Sequence, residues 1–118
     1  HTDKDSVKMQ QALQIVRKAD PDLEIDGEMQ ADAALDEKLR KQIFPETTLQ
    51  GSANLLVMPN VEAANISYNL LRVNATNGIT VGPILMGLNK PVQIVTPIST
   101  VRRIVNMIAL AAVDAQRQ

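Results

Sequence analysis

The sequence predicts an α/β domain whose mixed, largely parallel sheet is packed by helices. Three observations predict it. Stretches with apolar residues at helical spacing alternate along the chain with short, nearly continuous apolar runs. Pro and Gly separate these stretches, at Pro21, Pro45, Pro59, Gly87 and Pro91. The two apolar runs nearest the C-terminus are joined only by "LNK", too short for a crossover helix, so that pair is antiparallel or lies in separate parts of the sheet.

The elements follow in order. Asp5 or Ser6 can cap a first helix, with Met9, Ala12, Leu13, Val16 and Ala19 on one face and Asp20-Pro21 as its end. "LEIDGEMQ" is a short strand interrupted by Gly27. "ADAALDEKLRKQIF" reads as one helix, with Asp32 as its cap and basic residues toward its end, where the helix dipole favours them. Pro45 stops it, and "ETTLQGS" is a loop. "ANLLVMP" has the length and apolarity of a buried, parallel strand. "NVEAANISYNLLRV" is a helix capped by Asn60. Glu62, Asn65, Asn69 and Arg72 form its polar stripe, and Ala63, Ala64, Ile66, Leu70 and Leu71 its apolar side. "ITVGPILMG" and "PVQIVT" are two further strands. A last helix starts near Thr100, and its all-round apolar stretch from Met107 to Val113 calls for burial in the core or beneath a partner chain.

Composition removes several function classes. The formal net charge is -1, which gives no electrostatic drive toward nucleic acid or an anionic membrane. Phe44 and Tyr68 are the only aromatic residues, so there is no stacking platform for single strands. The chain has no Cys and a single histidine, His1, which leaves no material for a Cys- or His-based metal site. The absence of Cys suits a reducing compartment, and a cytoplasmic location is expected. No apolar run approaches a membrane span, and the opening "HTDKDS" reads as the middle of a longer chain.

Four constellations could carry chemistry. "MPNVEAAN" sets a helix start directly after an apolar run; Asn60, Glu62 and Asn65 either face an anionic ligand there or form an ordinary capped helix with a solvated stripe. "VGPILMGLNKP" offers Gly82, Pro83, Asn89 and Lys90; the glycine permits close approach of a ligand and Lys90 can meet a phosphate, or the segment is simply a strand-turn-strand. Its glycine spacing matches neither the P-loop nor the dinucleotide fingerprint. Asp26, Glu28 and Asp32 cluster as a carboxylate group, or as solvated charges around a bulge at Gly27. "VTPISTVRRIVNM" ends a strand and opens a helix, with Thr96, Ser99 and Thr100, and with Arg102 and Arg103 where a helix start favours acid. No histidine lies near to activate a hydroxyl.

The stretches "DGEMQADAAL", "ANLLVMPNVEAANISYNLL", "GPILMGLNKPV" and "VDAQ" resemble the C-terminal part of the phosphate acetyltransferase family, over about residues 23–116. The resemblance implies a three-layer α/β/α sandwich related to isocitrate and isopropylmalate dehydrogenases. It implies that residues 1–118 are the C-terminal portion of such a domain, and that the chain is a homo-oligomer, a dimer through its C-terminal helices. It also implies where acetyl transfer between CoA and phosphate would be carried. In the family an "N-D-L-S-R-G" type stretch follows "GLNKPV"; its Ser falls on Thr96, its Arg on Pro97, and an Asp acting as base falls on Arg103. Proline has no charge and no N–H for a phosphate, and arginine stays protonated. No acetyl transfer is expected.

"TPISTVRRIVNMIALAAVDAQ" resembles the C-terminal region appended to large bacterial NADP-dependent malic enzymes. That resemblance implies a regulatory part responding to acetyl-CoA or a related CoA ester. The NADP and the divalent metal (Mg or Mn) for malate oxidation to pyruvate would belong to the other part of the parent. The effector-binding candidates are Asn60, Glu62, Asn65, Gly82, Pro83, Asn89, Lys90, Thr96, Ser99, Arg102 and Arg103. Two other readings stand beside it: a working phosphate acetyltransferase, and a purely structural dimerisation domain.

Overall fold

The computed structural model describes residues 3–75 and 81–117. These fall into two compact units, His1–Leu71 and Arg72–Gln118. His1, and Ile79 and Thr80 at the head of the expected strand "ITVGPILMG", lie outside the described residues.

In the first unit, helix α1 spans Lys4–Ala19 and ends where Asp20 donates its N–H to the Val16 carbonyl, just before Pro21. Its N-cap position is Asp3, which makes no side-chain cap bond; Asp5 lies one residue inside the first turn and pairs with Lys8 Nζ at 2.7 Å. The single helix expected over residues 31–44 is two: α2, Ala31–Leu35, and α3, Glu37–Ile43. Asp36 is the reason. Its carboxylate accepts from the N–H groups of Lys38 at 2.9 Å and Leu39 at 3.1 Å, satisfying donors that a helix start leaves free. An aspartate that caps a helix cannot also sit in the middle of one. Asp36→Ala should therefore lower stability by about 1 kcal/mol, read as a lower urea midpoint. Nor does Asp32 cap α2: it sits in the first turn, behind Gln30, and accepts from the Ala33 N–H at 2.8 Å. Helix α4 spans Val61–Asn74, with Asn60 Oδ1 accepting from the Ala63 N–H at 2.8 Å, as a cap should.

Helix α5, Val101–Gln116, opens the last part of the second unit. Thr100 is its N-cap and accepts from the Arg103 N–H at 3.3 Å. No acidic residue stands in its first turn.

The expected strands 23–30, 53–59, 79–87 and 91–96 do not appear: no strand is present among the described residues. The apolar runs are there, but a strand exists only where a second strand supplies ladder hydrogen bonds. Leu55, Val57, Met86 and Ile94 are exposed instead of buried. The apolar side of α4 is likewise uncovered, with Ile66, Leu70 and Leu71 exposed, and in the stretch Met107–Val113 only Met107 is buried while Ile108 and Val113 are open. The buried apolar side chains among the described residues are Ala33, Ala34 and Met107.

Among the described residues the one buried charge is Arg40, at 0% exposure. Its Nη1 donates to the carbonyls of Ala33 and Ala34, both at 3.1 Å, and its Nη2 to those of Leu49, at 3.1 Å, and Gly51. Carbonyls at the C-terminal end of α2 have no intrahelical partner, so the guanidinium fills a need that the backbone creates. The small side chains of Ala33 and Ala34 leave room for it. Gly51 has φ +63°, a left-handed conformation that turns its carbonyl at no steric expense.

Candidate functional site

The α5 turn is built by its own hydroxyls. The Thr96 N–H donates to Ser99 Oγ at 3.0 Å, and the Ser99 N–H donates to the Thr96 carbonyl at 2.9 Å. The two hydroxyl oxygens are 3.2 Å apart. Ser99 thus closes a local turn that leads into the Thr100 cap, and the first turn of the helix carries two arginines. Arg102 is exposed. Arg103 is half-buried, and its Nε is closed off from water without a hydrogen-bond partner.

Chemically this turn offers hydroxyls and guanidinium donors, which suit an anion, and no carboxylate in the first turn of its helix. Its hydroxyls bond each other rather than a base, and its ionisable groups are guanidinium ions. Thr96 and Ser99 are joined in this turn by their hydrogen bonds, and Arg102 and Arg103 follow in the first turn of α5. Asn89 and Lys90 are exposed on the segment before Pro91 and take no part in the turn's hydrogen bonds. Gly82 is buried with φ +118°, a backbone conformation that side chains resist, and a Cβ there would stand 3.3 Å from the Ile84 nitrogen. Pro83 follows it, exposed.

Asn60, Glu62 and Asn65 belong to the first unit. Glu62 and Asn65 are exposed on the first two turns of α4. Asn60 is already engaged at both ends of its amide: Oδ1 caps the helix, and Nδ2 donates to Asp5 Oδ2 at 2.8 Å. The bonds from Lys8 and then from Asn60 hold the Asp5 carboxyl below its ordinary value.

The carboxylate cluster of the first unit is a hydrogen-bonded support. Asp26 Oδ2 accepts from Thr47 Oγ1 at 2.6 Å, and Oδ1 from the Gly27 N–H at 2.9 Å and from Arg17 Nη2 at 3.3 Å. Burial raises its pKa, but bonds from Thr47, Gly27 and Thr48, with the Arg17 charge, together bring it below the usual carboxylate range. A depressed carboxyl contributes stability above its unfolded value and loses it as pH falls through the folded value. Asp26→Asn should therefore flatten the acid limb of the stability curve below about pH 4, leaving the profile near neutrality parallel to that of the parent. Measuring urea midpoints against pH checks this. Glu28 accepts from Ser6 and, at 3.2 Å, from Gln10. Asp26, Glu28 and Thr47 line a cavity of about 340 Å³ together with Met29, Ile43 and Phe44. Among the described residues no group of three or more His, Cys, Asp or Glu is placed to hold a metal ion.

Two polar residues escaped the reading of the sequence. By sequence Arg40 reads as a dipole-complementing cation toward a helix end. Gln93 sat inside "PVQIVT"; both its amide Nε2 and its Oε1 are shut off from water with no hydrogen-bond partner. A lone polar side chain within an apolar run was the available signal.

The family description "Phosphate acetyl/butaryl transferase" matches residues 1–112. The chain belongs to this family. It is 63% identical over 113 residues to the NADP-dependent malic enzyme of Escherichia coli, a match covering 96% of this chain and 15% of that protein. It is 39% identical over 109 residues to the phosphate acetyltransferase of Helicobacter pylori, covering 92% of this chain and 21% of that protein. Among solved structures, EutD phosphotransacetylase from Staphylococcus aureus superimposes with a TM-score of 0.80 at 33% identity, over 98% of this chain and 36% of that one. The fold neighbour is thus an α/β phosphotransacetylase. The chain spans a minor part of each of these relatives. Among the described residues, no helix is long and apolar enough to cross a membrane.

Proposed function

We propose that residues 1–118 are the C-terminal portion of a phosphate acetyltransferase-like domain that regulates an NADP-dependent malic enzyme by binding acetyl-CoA or a related CoA ester, without transferring the acetyl group. The single observation behind this reading is the α5 turn. It keeps two hydroxyls and adds two arginines, yet no carboxylate stands in its first helical turn to take a thiol proton. Arg102 and Arg103, with Lys90 as a further cation of the same unit, match the phosphates of CoA in charge. The share of each relative that the chain covers supports the place of this segment in a longer polypeptide. There, the remaining strands complete a three-layer sandwich over the apolar runs left open here. NADP, a divalent metal and malate oxidation belong, on this reading, to the rest of that polypeptide, which works in the cytoplasm. The exposed apolar face of α5, through Val101, Val105 and Ile108, supports pairing with a second copy.

The test uses the longest natural polypeptide containing this chain. Acetyl-CoA is titrated calorimetrically, malate oxidation is followed with and without it, and acetyl phosphate formation is assayed in parallel. Saturable binding that changes malate oxidation, with no acetyl phosphate formed, is the expected result. Acetyl phosphate turnover would replace this reading with an active transferase. Dimerisation without CoA binding would leave a structural role.

A further inference from the structure

Gln93 carries the clearest unmet need in the second unit. A primary amide offers donors on nitrogen and lone pairs on oxygen. In Gln93 both atoms are withdrawn from water and neither has a partner. Buried amides of this kind are rare in folded proteins, because each unmet group forfeits its hydration for nothing. The residue stands three positions before Thr96, on the run that leads into the α5 turn. On the other side of that turn, Arg103 Nε is a second polar atom shut from water without a partner. The turn is thus flanked by an unmet amide and an unmet guanidinium donor.

The two call for different ligand chemistry. A guanidinium N–H suits a phosphate. A carboxamide with both ends unmet suits a group that is donor and acceptor at once, which a phosphate is not. A secondary amide fits. We infer that Gln93 is a specificity-determining residue that pairs with an amide of the pantetheine arm of a CoA ester. This inference rests on the proposed CoA-ester reading of the α5 turn. The arm takes the place of whatever now screens the amide, and its own N–H and C=O answer the Gln93 oxygen and nitrogen. Arg102 and Arg103 are left to the nucleotide phosphates.

The division of labour gives the test. Gln93→Leu removes donor and acceptor while keeping bulk, and Gln93→Asn keeps the chemistry on a shorter stem. Each is made in the longest natural polypeptide containing this chain and titrated with two probes. One is acetyl-CoA. The other is adenosine bisphosphate with the phosphate pattern of the CoA nucleotide and no pantetheine arm. Gln93→Leu should weaken acetyl-CoA about tenfold, leave adenosine bisphosphate unchanged, and keep or raise the thermal midpoint, since an unmet buried amide has gone. Gln93→Asn should fall between Gln93→Leu and the parent. Equal acetyl-CoA affinity in Gln93→Leu and parent overturns the inference and leaves CoA binding at the turn intact. Equal losses for both probes also overturn it, showing that Gln93 only supports the fold or awaits a peptide group of the same protein. If the parent binds neither probe, the CoA-ester reading itself falls, and the role of Gln93 falls with it.

Discussion

Arg40→Ala is expected to destabilise the folded protein by about 3 kcal/mol or more. The side chain is fully buried and donates to four backbone carbonyls, those of Ala33, Ala34, Leu49 and Gly51. Hydrogen bonds from a charged donor each contribute about 1.5–3 kcal/mol, and a buried carbonyl left unmet costs about 1–3 kcal/mol. The effects overlap, so they do not add in full. Two further variants separate charge from bonding. Arg40→Met restores much of the volume and removes a buried charge, which alone can be neutral or favourable. It still strands the carbonyls of Ala33, Leu49 and Gly51, while that of Ala34 keeps the Ala53 N–H at 2.9 Å, so it should remain below the parent. Arg40→Lys keeps the charge but cannot span both sets of carbonyls with its compact ammonium, and should fall between. Urea unfolding of the longest natural polypeptide containing the chain reads all three, with protease cleavage near Leu49–Gly51 as a local probe. If Arg40→Met matched the parent, the carbonyls would have found water and the guanidinium would not be holding the loop.

The second large effect is expected at Arg103. Arg103→Ala should weaken acetyl-CoA by about ten- to a hundredfold, the range of one or two charge-assisted hydrogen bonds to phosphate. Unlike Gln93→Leu, it should weaken adenosine bisphosphate by the same factor. The parent's affinity for either probe should fall as salt rises, and Arg103→Ala should show a shallower fall because one phosphate contact has gone. Arg103→Asp should abolish binding of both probes by charge reversal and should form no acetyl phosphate, since Pro97 still offers no cation. Wild-type affinity in Arg103→Ala would move the phosphates away from this turn. Appearance of acetyl phosphate in Arg103→Asp would show that only the base had been lost.

The sequence spoke most clearly where structure is local. The amphipathic pattern from Met9 to Ala19, the Asn60 cap and the Thr100 start all lie within a few residues of the bonds that create them, and helices α1, α4 and α5 follow. Asp36 was legible in principle, as a cap residue followed by helix formers, but the continuous apolar spacing on either side hid the break between α2 and α3. The strand readings needed something no local pattern holds. A run such as Leu55–Met58 declares its preference for an apolar, extended environment, whereas its ladder partner is a matter of topology. Arg40 was illegible for a related reason. Its four acceptors are main-chain atoms, so no side chain at residues 33, 34, 49 or 51 announces a partner for a guanidinium. At the site, the Thr96–Ser99 turn and the Thr100 cap could be read because each of their bonds spans three positions. The isolation of the Gln93 amide could not, since solitude is a property of the packed surroundings.

The Arg40 clasp has a consequence for how this segment tolerates change. Because its acceptors belong to the backbone, ordinary replacements at Leu49 leave every carbonyl where it was. What the clasp registers is spacing: eleven positions separate Arg40 from Gly51, and one residue added or removed between them turns the carbonyls of the loop away from the guanidinium. Drift in composition across residues 48–50 should therefore be common among functional variants, and drift in length should be rare. A library of single substitutions and single-codon insertions over that loop, sorted by soluble expression, would separate the two.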